Sequence, residues 1–368
     1  MKRISSLQHA EPKDLPASAP TLKEIGARCG VDKSTVYRAL SGRGRVKAGT
    51  VVRVRAAAAE LGYDASANRA ARRMASQRIG TRFINRAIAL LLPSAFHRLA
   101  YYQRIHQGIL NALAEAHYDL FTAQLEHEAP RVPHALAAGE LDAAICVGAA
   151  LPVAFQTVMR LAARPMVTVS GILPGASAVV ADEESAAFFA TSHLLGLGHR
   201  RLLHFFESTS PYPAAERIAG YRRACVERGL DPAQTLVGFD MPTDLPLPQW
   251  IARHLAEGLR RDPDITALLA RNDEEARVLY DALVSMGKRV PDDLSLVGCD
   301  DVMAITDGRG QNLLTSVDLA LTQIGEQAAR LAIELIEGRA QPGGVITVPA
   351  RLVVRGSTAA PRSSVRQL

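Results

Sequence analysis

The sequence predicts a small all-α head of the helix-turn-helix type, followed by a two-lobed α/β body built on doubly wound parallel sheets. Three observations lead to this prediction: a division of charge along the chain, two short helical segments joined by a glycine-containing turn, and an alternation of short apolar runs with helical segments further on. The length of 368 residues, 48% of them hydrophobic and 22% charged, is enough for two or three domains with buried cores.

The charge divides near Arg86. Residues 1–86 contain 18 Lys and Arg against 6 Asp and Glu, a net charge of +12, whereas the rest of the chain carries −6. A polycationic segment joined to a mildly acidic body is typical of a polyanion-binding module attached to a body with another task. Nucleic acid is the leading partner, because the segment is rich in alanine and lacks the bulky apolar residues of a membrane-binding helix. A basic tail that only aids solubility is the alternative.

Nothing in the sequence indicates a membrane span, a secretory signal or a metal site. No apolar stretch approaches the roughly 20 residues that cross a bilayer. Residues 1–20 are rich in proline and polar residues and have no apolar run, which predicts a disordered arm. The four cysteines lie at least 74 residues apart in sequence, which favours buried free thiols over zinc ligands or disulfides. We therefore expect a cytoplasmic protein with no membrane partner, no metal and no cofactor.

Three helices are predicted between residues 21 and 63. Thr21 and Glu24 have capping-box spacing and start a helix that ends at Cys29, with Gly30 as the left-handed stop. Asp32 is a good N-cap for a second helix over 33–41, and a third spans about 50–61. The positions expected to share a core are Leu22, Ile25, Val36, Leu40, Val51, Val54, Ala58 and Leu61.

The run TLKEIGARCGVDKSTVYRALSG, followed by a third helix ending in AAAELGY, resembles the DNA-binding head of the LacI-type family of bacterial repressors. In such a head the second helix enters the major groove, so the resemblance implies that Lys33, Ser34 and Arg38 contact base edges. Contact with phosphate alone is the alternative. Tyr37 stands where the family usually has a small serine, and it is expected to contact a phosphate or a thymine methyl group, or to pack. Further candidate phosphate donors, which could equally cap or fill helices, are Thr21, Thr35 and Thr50.

Residues 64–86 are predicted to be a hinge and linker. Family members place here a segment that folds into a helix on DNA and inserts a leucine into the minor groove. The resemblance assigns this role to residues 71–74, with Met74 in place of the leucine and Arg72 beside the DNA. The interval after Tyr63 is longer than usual and the expected proline is missing, so an ordinary arginine-rich linker is the alternative.

From Ala87 onward, short apolar runs alternate with segments of helical periodicity, which predicts βαβ units. Strands are predicted to begin at or near Ala87, Asp119, Ala143, Met166, Ala178, Leu202, Ala267 and Leu294. Predicted helices include 103–116, 186–195, 214–228, 274–286 and 320–337. Ligands in such sheets bind beyond the carboxyl ends of strands. No GxGxxG follows a strand and no GxxxxGK[ST] occurs, so dinucleotide and P-loop sites are not supported.

The family resemblance continues through LLGLGHRRLLHF, ERIAGYRRAC, ALLARNDEEA and PARLVVRGST. It implies a body of the periplasmic-binding-protein type over 87–358, with an effector bound between two lobes and with dimer contacts. Lobe 1 is expected to comprise about 87–181 and 318–340, and lobe 2 about 182–312 and 345–358. Residues 359–368 are expected to form a tail.

The resemblance also implies effector contacts by Arg217, Asn272 and Asp300, a donor and acceptor set suited to a polyol or a small carboxylate. Each has a structural alternative: Arg217 could pair with an acidic neighbour, Asn272 could cap a helix, and Asp300 could hold a turn. Two further side chains come from the first lobe, where Tyr101 and Tyr102 are expected to complete the pocket or simply to pack. The single tryptophan, Trp250, could line the cleft or cap the second lobe.

These expectations combine into a homodimeric transcriptional regulator, by default a repressor, that binds double-stranded operator DNA and responds to a sugar, sugar acid or related metabolite. Two alternatives remain open: a DNA-binding regulator controlled by a protein partner, and a two-lobed sugar-acting enzyme with a basic nucleic-acid-binding appendage. For an enzyme, neither a GxSxG elbow nor a positioned carboxylate pair stands out, so no catalytic residue is assigned.

Overall fold

In a computed structural model of the chain, the described residues are 20–41, 45–63, 84–93, 100–125, 134–138, 140–148, 164–206, 213–240 and 247–362. The chain divides into two compact units, with the boundary between Asn85 and Arg86, where the charge also changes sign. Among the described residues, no helix is long and apolar enough to cross a membrane.

The first unit contains α1 (Leu22–Cys29), α2 (Lys33–Ser41) and α3 (Ala48–Glu60). The predicted capping box is confirmed, since the Glu24 amide donates to the Thr21 hydroxyl at 3.3 Å and the Thr21 amide donates to the Glu24 carboxylate at 2.6 Å. Gly30 ends α1 in the left-handed conformation, with φ of 64°.

The third helix begins at Ala48, two residues earlier than predicted. Its first backbone turn is closed by the carbonyl of Lys47, which accepts from the amides of Thr50 and Val51. No side chain caps this end, so the sequence carries no local marker of the start.

The core of the first unit confirms the apolar spacing in part. Four of the eight predicted positions are buried, four are half-buried against them (Leu22, Leu40, Val51 and Leu61), and Ala39 and Ala57 are buried although they were not predicted. Residues fully or almost fully buried in it are Ile25, Val36, Ala39, Val54, Ala57 and Ala58. Gly26 allows α1 to approach the turn that follows, because an added Cβ would lie 2.6 Å from the carbonyl oxygen of Val31. Two helices joined by this tight turn and covered by a third form a helix-turn-helix unit.

The second unit contains two parallel sheets, as predicted. Within the described residues, the strands of the first sheet are β1 (Ala87–Pro93), β2 (Asp119–Leu125), β3 (Ala143–Val147), β4 (Met166–Val169), β5 (Ser177–Ala181) and β11 (Val345–Val348). Their order is β11-β5-β4-β3-β1-β2, and every pair is parallel.

The strands described in the second sheet are β6 (Leu202–Phe206), β7 (Leu236–Asp240), β8 (Ala267–Leu269), β9 (Ser295–Cys299), β10 (Thr315–Asp318) and β12 (Arg351–Val353). Their order is β12-β10-β9-β8-β6-β7, with only β12 antiparallel to its neighbour. All eight predicted strands are present. Four strands were not predicted, namely β7, β10, β11 and β12.

Helices cover the sheets. The bounds of the described helices are α4 (Ala100–Glu115), α5 (His134–Ala137), α6 (Glu183–Gly196), α7 (Ala214–Glu227), α8 (Pro232–Thr235), α9 (Leu247–Arg261), α10 (Asp273–Ser285) and α11 (Leu321–Ile336). The five predicted helices correspond to α4, α6, α7, α10 and α11. The long helix α9 and the one-turn helices α5 and α8 are not among the predicted ones.

The predicted division into lobes needs one correction. Residues 345–348 were assigned to the second lobe, but they form β11, which pairs in parallel with β5 of the first sheet. The chain therefore returns to the first lobe through α11 and β11 and enters the second lobe again only at β12. The reason is non-local: β11 is mostly exposed and covers the free edge of β5, which its own sequence does not show.

The residues after β12 also differ from the expected tail beginning at 359. His199, which is 1% exposed, bonds through Nε2 to the carbonyl oxygen of Ala359 at 2.9 Å and through Nδ1 to the Thr266 hydroxyl at 2.8 Å. Residue 359 is thus bound to the second sheet, whereas 363–368 lie outside the described residues.

Two pairs of helices are in close backbone contact at glycine residues. In the first lobe, a Cβ at Gly108 of α4 would overlap the carbonyl of Thr322, and a Cβ at Gly325 of α11 would overlap that of Ile105. In the second lobe, a Cβ at Gly220 of α7 would overlap a backbone carbonyl of α6. These contacts fix the axes of α4, α6 and α7, whose first turns carry the site described below.

We expect Gly325→Ala to lower the free energy of unfolding of the second unit by more than about 2 kcal/mol, because the two helix backbones must separate to admit a methyl group. Gly196→Ala is the matched control in the same unit, since its Cβ meets only the flexible end of Arg228 at 3.4 Å. Urea unfolding followed by circular dichroism measures both. Equal stabilities would contradict the close contact.

His204 of β6 predicts a pH dependence of stability. Burial lowers its pKa from the ordinary 6.5 to about 4, so below pH 6.5 the unfolded chain binds a proton that the folded chain excludes. The contribution is complete above pH 6.5 and declines as the pH falls towards 4, with about 2 kcal/mol lost at pH 5. Urea unfolding at pH 7 and pH 5 should show a smaller decline in His204→Gln than in the wild type. The same decline in both proteins would exclude His204 as its source.

Candidate functional sites

The first turn of α2 is organised by Asp32. Its carboxylate accepts from the amides of Ser34 at 2.8 Å and Thr35 at 2.9 Å, and from the Thr35 hydroxyl at 2.7 Å, which confirms the predicted N-cap. Hydrogen bonds from the Ser34 and Thr35 side chains are the main reason that the pKa of Asp32 lies well below its ordinary value. The start of α2 is therefore fixed, and the side chains that follow it have defined directions.

The predicted base-contacting residues Lys33, Ser34 and Arg38 are all exposed on α2. Arg38 lies along the helix: its Nε donates to the Ser34 carbonyl oxygen, and its guanidinium also donates to the Ser34 and Thr35 hydroxyls, each at 3.3 Å. This arrangement places Ser34 and Arg38 together, one turn apart, where a guanidinium can present a fork of donors to guanine.

Three other residues predicted to contact DNA are used in capping or are half-buried within the head. Thr21 is used in the capping box of α1, Thr50 is half-buried in the first turn of α3, and Tyr37 is half-buried on α2. Arg72 and Met74, with the rest of the predicted hinge, lie outside the described residues.

In the second unit, strained backbone collects at the carboxyl ends of strands. Ser170 follows β4 with φ of 62°, and Asp300 and Asp301 follow β9 with φ of 99° and 51°. Such conformations are unfavourable for residues other than glycine, and they persist where the surroundings hold them. Both strand ends lie where ligands of parallel sheets bind.

The loop after β9 is held by Asp273, the first residue of α10. One carboxylate oxygen accepts from the amides of Val302 at 2.8 Å and Met303 at 3.1 Å, and the other accepts from the Ser316 hydroxyl at 2.6 Å. Burial raises the pKa of Asp273 to about 6 despite these bonds. Asp273 therefore fixes the position of Asp300, although the sequence analysis did not single it out.

Arg217, in the first turn of α7, is paired with an acid. Its Nε donates to Glu183 Oε2 at 2.7 Å, and its guanidinium also donates to the carbonyl of Arg271. Glu183 is only 6% exposed. Burial opposes the charge of Arg217, but Glu183, together with Cys299 and Tyr221, more than offsets this effect, and the pKa of Arg217 lies well above its ordinary value. Arg217 therefore forms the ion pair with an acidic neighbour that the sequence analysis gave as the alternative to an effector contact.

Tyr101 and Tyr102, at the start of α4, lie in the same electrostatic environment as Asp300. Their rings meet edge to face, with centroids 5.2 Å apart, and the Tyr101 hydroxyl shares a hydrogen bond with the Ser170 hydroxyl. Burial is the main cause of the raised pKa of both tyrosines, and the charge of Asp300 adds to it. Glu183 contributes at Tyr101 as well.

Burial also raises the pKa of Asp300 well above its ordinary value, against the attraction of Arg217. Asp300 is 6% exposed and interacts with residues of both lobes. The structure therefore brings four of the predicted effector residues into one electrostatic cluster, the strand-end cluster: Tyr101, Tyr102, Arg217 and Asp300. Ser170 and Glu183 join this cluster. Both follow apolar strands, so the rule of inspecting polar residues at strand ends could have found them.

Asn272 and Trp250 have different surroundings. The Asn272 side chain caps α10 by accepting from the Glu275 amide at 2.8 Å, and it lies next to Arg271, whose carbonyl binds Arg217. Trp250 is 6% exposed in the core of the second lobe, where its ring stacks on His254 at 4.0 Å. Trp250 thus has the packing role that the sequence analysis gave as its alternative, and its contact with an effector stays a prediction.

Metal chemistry has no support in the described part of the chain, where no group of three or more His, Cys, Asp and Glu could hold an ion. The four cysteines are free thiols, and all except the half-buried Cys29 are buried.

Comparison with known proteins matches both units. Residues 21–66 match the description "Bacterial regulatory proteins, lacI family", and residues 191–358 match "Periplasmic binding protein-like domain". The HTH-type transcriptional regulator CelR of Thermobifida fusca is 28% identical over 92% of this chain and 98% of its own. The arabinose metabolism transcriptional repressor of Geobacillus stearothermophilus is 33% identical over 48% of each chain.

A solved complex of the transcriptional regulator CelR with cellobiose covers 92% of this chain and 99% of its own, with 26% identity and a TM-score of 0.63. A helix-turn-helix head and a two-lobed α/β body occur here in the same order as in these regulators. The chain therefore combines a lacI-family head with a periplasmic-binding-protein-like domain, and the relatives that it matches over almost their whole length are regulators of the LacI type.

Proposed function

We propose that this protein is a sequence-specific DNA-binding transcriptional regulator, acting as a repressor, whose affinity for operator DNA is set by a small-molecule effector bound between its two lobes. Members of the family are regulators of this kind and not enzymes, which sets aside the sugar-acting enzyme as an alternative. The observation that carries the effector part is the strand-end cluster, in which side chains of both lobes share one electrostatic environment.

The DNA-binding part rests on α2 and on the charge of the head. A net charge of +12 over residues 1–86 attracts the phosphate backbone of any duplex. Discrimination between sequences is assigned to Lys33, Ser34 and Arg38, which are exposed on a helix whose start is fixed by its N-cap. Candidate positions for further contacts with phosphate or the minor groove are Thr21, Thr35, Tyr37, Thr50, Arg72 and Met74.

The effector part assigns ligand contacts to Tyr101, Tyr102, Arg217 and Asp300, with Asn272 at the edge. Hydroxyl donors, carboxylate acceptors and an amide suit the many hydroxyl groups of a sugar. The CelR complex supports this class, because cellobiose is the ligand in that relative.

A homodimer fits this role, since two heads related by two-fold symmetry bind a pseudo-palindromic site. The effector would change operator affinity through residues 64–86, with a coupling free energy of about 1 to 3 kcal/mol. The site of action is the bacterial cytoplasm, where the DNA is. Control by a protein partner instead of a metabolite remains the second candidate, and it predicts that the fraction of a cell extract passing a small-pore filter has no effect on operator binding.

We expect Arg38→Ala to lose about 1 to 3 kcal/mol of discrimination at one base pair of each half-site, because a fork of donors to that base is removed. Duplexes selected by the wild type from a randomised pool, then assayed with single-base changes, measure this loss. Arg28→Ala is the matched control: Arg28 lies on α1 and pairs with Glu60 at 3.1 Å. A uniform loss over all sequences in Arg38→Ala, as expected for a phosphate contact, would remove Arg38 from base recognition.

We expect Asp300→Asn to weaken the effector response at least tenfold while leaving effector-free operator binding unchanged. The amide retains the size of the buried carboxyl group but replaces one of its oxygen atoms with an N–H donor, and a buried group left without its hydrogen bond costs about 1 to 3 kcal/mol. Fluorescence anisotropy of labelled operator, titrated with cellobiose and other sugars, measures the half-effective concentration. Asp281→Asn, on the exposed surface of α10, is the control. An unaltered dose-response in Asp300→Asn would exclude Asp300 from the site.

A further inference from the structure

We propose that Glu183 determines the charge of the ligand that this site accepts: by occupying the guanidinium of Arg217, it makes the site select an uncharged polyhydroxy ligand and reject the corresponding carboxylate or phosphate. This inference rests on the proposed effector site and adds a specificity-determining residue to it. An arginine in a ligand cleft ordinarily favours anions, so the pairing reverses the expectation that the arginine alone would give.

The positive charge of Arg217 is already paired within the protein. Its Nε is 2.7 Å from Glu183 Oε2, and another edge of the guanidinium donates to the Arg271 carbonyl. Arg271 is itself fixed by its ion pair with the fully buried Glu275, at 2.6 Å. Two of the N–H groups of Arg217 are thus bound by protein acceptors, and the acceptor at Nε is a carboxylate that neutralises the charge of the guanidinium.

The helices that carry the pair cannot easily separate. Glu183 begins α6, and its neighbour Asp182 caps that helix by accepting from the Ser185 amide at 3.0 Å. Gly220 of α7 lies against the Glu184 carbonyl so closely that a side chain there would overlap it. The contact between Glu183 and Arg217 is thus set by the helix backbones.

The net charge of the strand-end cluster also disfavours an anionic ligand. Near the strand-end cluster, three other charged side chains have their own partners: Arg271 pairs with Glu275, Asp273 accepts from two amides and the Ser316 hydroxyl, and Asp301 pairs with Arg355 at 2.6 Å. Among the described residues this leaves the Glu183–Arg217 pair and Asp300. If Asp300 is protonated the cluster is neutral, and if it is ionised the cluster is negative, so neither state offers a spare positive charge to an anion.

An uncharged ligand with many hydroxyl groups can bind without a spare positive charge in the site. Asp300 can accept hydrogen bonds from ligand hydroxyls, and Tyr101 and Tyr102 remain protonated because burial and the nearby acids raise their pKa. Acceptors and donors are therefore both present without any demand for ligand charge.

The test uses the full-length wild type, Glu183→Gln, and Glu184→Gln as the matched control. Glu184 is the next residue and forms an ion pair with Arg223 instead. Inorganic phosphate is the first probe, measured by calorimetric titration and by the melting temperature. Glu183→Gln leaves the buried guanidinium without its counter-ion, so it should bind phosphate at least about tenfold more tightly than the other two proteins. All three share the same basic head, whose own phosphate binding therefore cancels in the comparison.

The second probe is a set of matched ligands: glucose with gluconate, galactose with galacturonate, and cellobiose with cellobionate. The wild type and Glu184→Gln should bind the neutral member of a pair more tightly than the acid, and Glu183→Gln should shift this ratio at least tenfold towards the acid. A purely structural role for Glu183 would lower stability without a gain for anions. If Glu183→Gln does not fold, the neutral Glu183→Met, of similar length, replaces it and carries the same expectation.

The proposal is overturned if Glu183→Gln binds phosphate no better than the wild type, or if the wild type binds the acid of a matched pair more tightly than the neutral sugar. If Glu183→Gln gains phosphate binding but the wild type binds no sugar, the result supports the role of Glu183 in rejecting anions. It then counts against the proposed sugar effector. Loss of the effector response in Asp300→Asn tests the site separately, so the two failures are distinguishable.

Discussion

Close contact between helix backbones is the constraint on which the second unit depends. Gly108 and Gly325 bring α4 and α11 together on the first sheet, and Gly220 brings α7 onto α6 on the second. At these crossings the absence of a Cβ sets the distance between axes, and any side chain would force the pair apart. Because Tyr101, Glu183 and Arg217 all lie in the first turns of these helices, the positions of the polar side chains follow from packing contacts several residues away.

The electrostatics of the strand-end cluster follow from that packing. Glu183 and Arg217 are held together in a place where water is largely excluded, and an ion pair there is stable only with good geometry and with its remaining hydrogen bonds satisfied. The bond from Arg217 to the Arg271 carbonyl meets part of this need. Asp300, in contrast, has a raised pKa because it is buried with only partial compensation from Arg217. A group of this kind gains the most from a ligand that donates hydrogen bonds to it.

In the head, too, hydrogen bonds between neighbouring side chains hold a functional arginine in place. Asp32 binds the first turn of α2, Ser34 and Thr35 bind Asp32, and Arg38 binds both hydroxyls. The arginine is thereby restricted before any DNA is present, which lowers the conformational entropy lost when it binds a base. The contacts within α2 remain exposed to solvent, so they can be exchanged for contacts with a duplex at little cost.

Features that depend on residues near one another in the chain were predicted correctly. The capping box at Thr21, the stop at Gly30, the N-cap at Asp32 and the alternation of strands and helices are local, and the structure confirms each of them. The errors of the prediction fall where the outcome depends on distant segments. Glu183 meets Arg217 across 34 residues, β11 joins β5 from far along the chain, and Trp250 is buried on α9, a helix that was not predicted. Pairing of sheet edges, ion pairs and burial are decided by which surfaces meet, and only the tertiary structure brings those surfaces together.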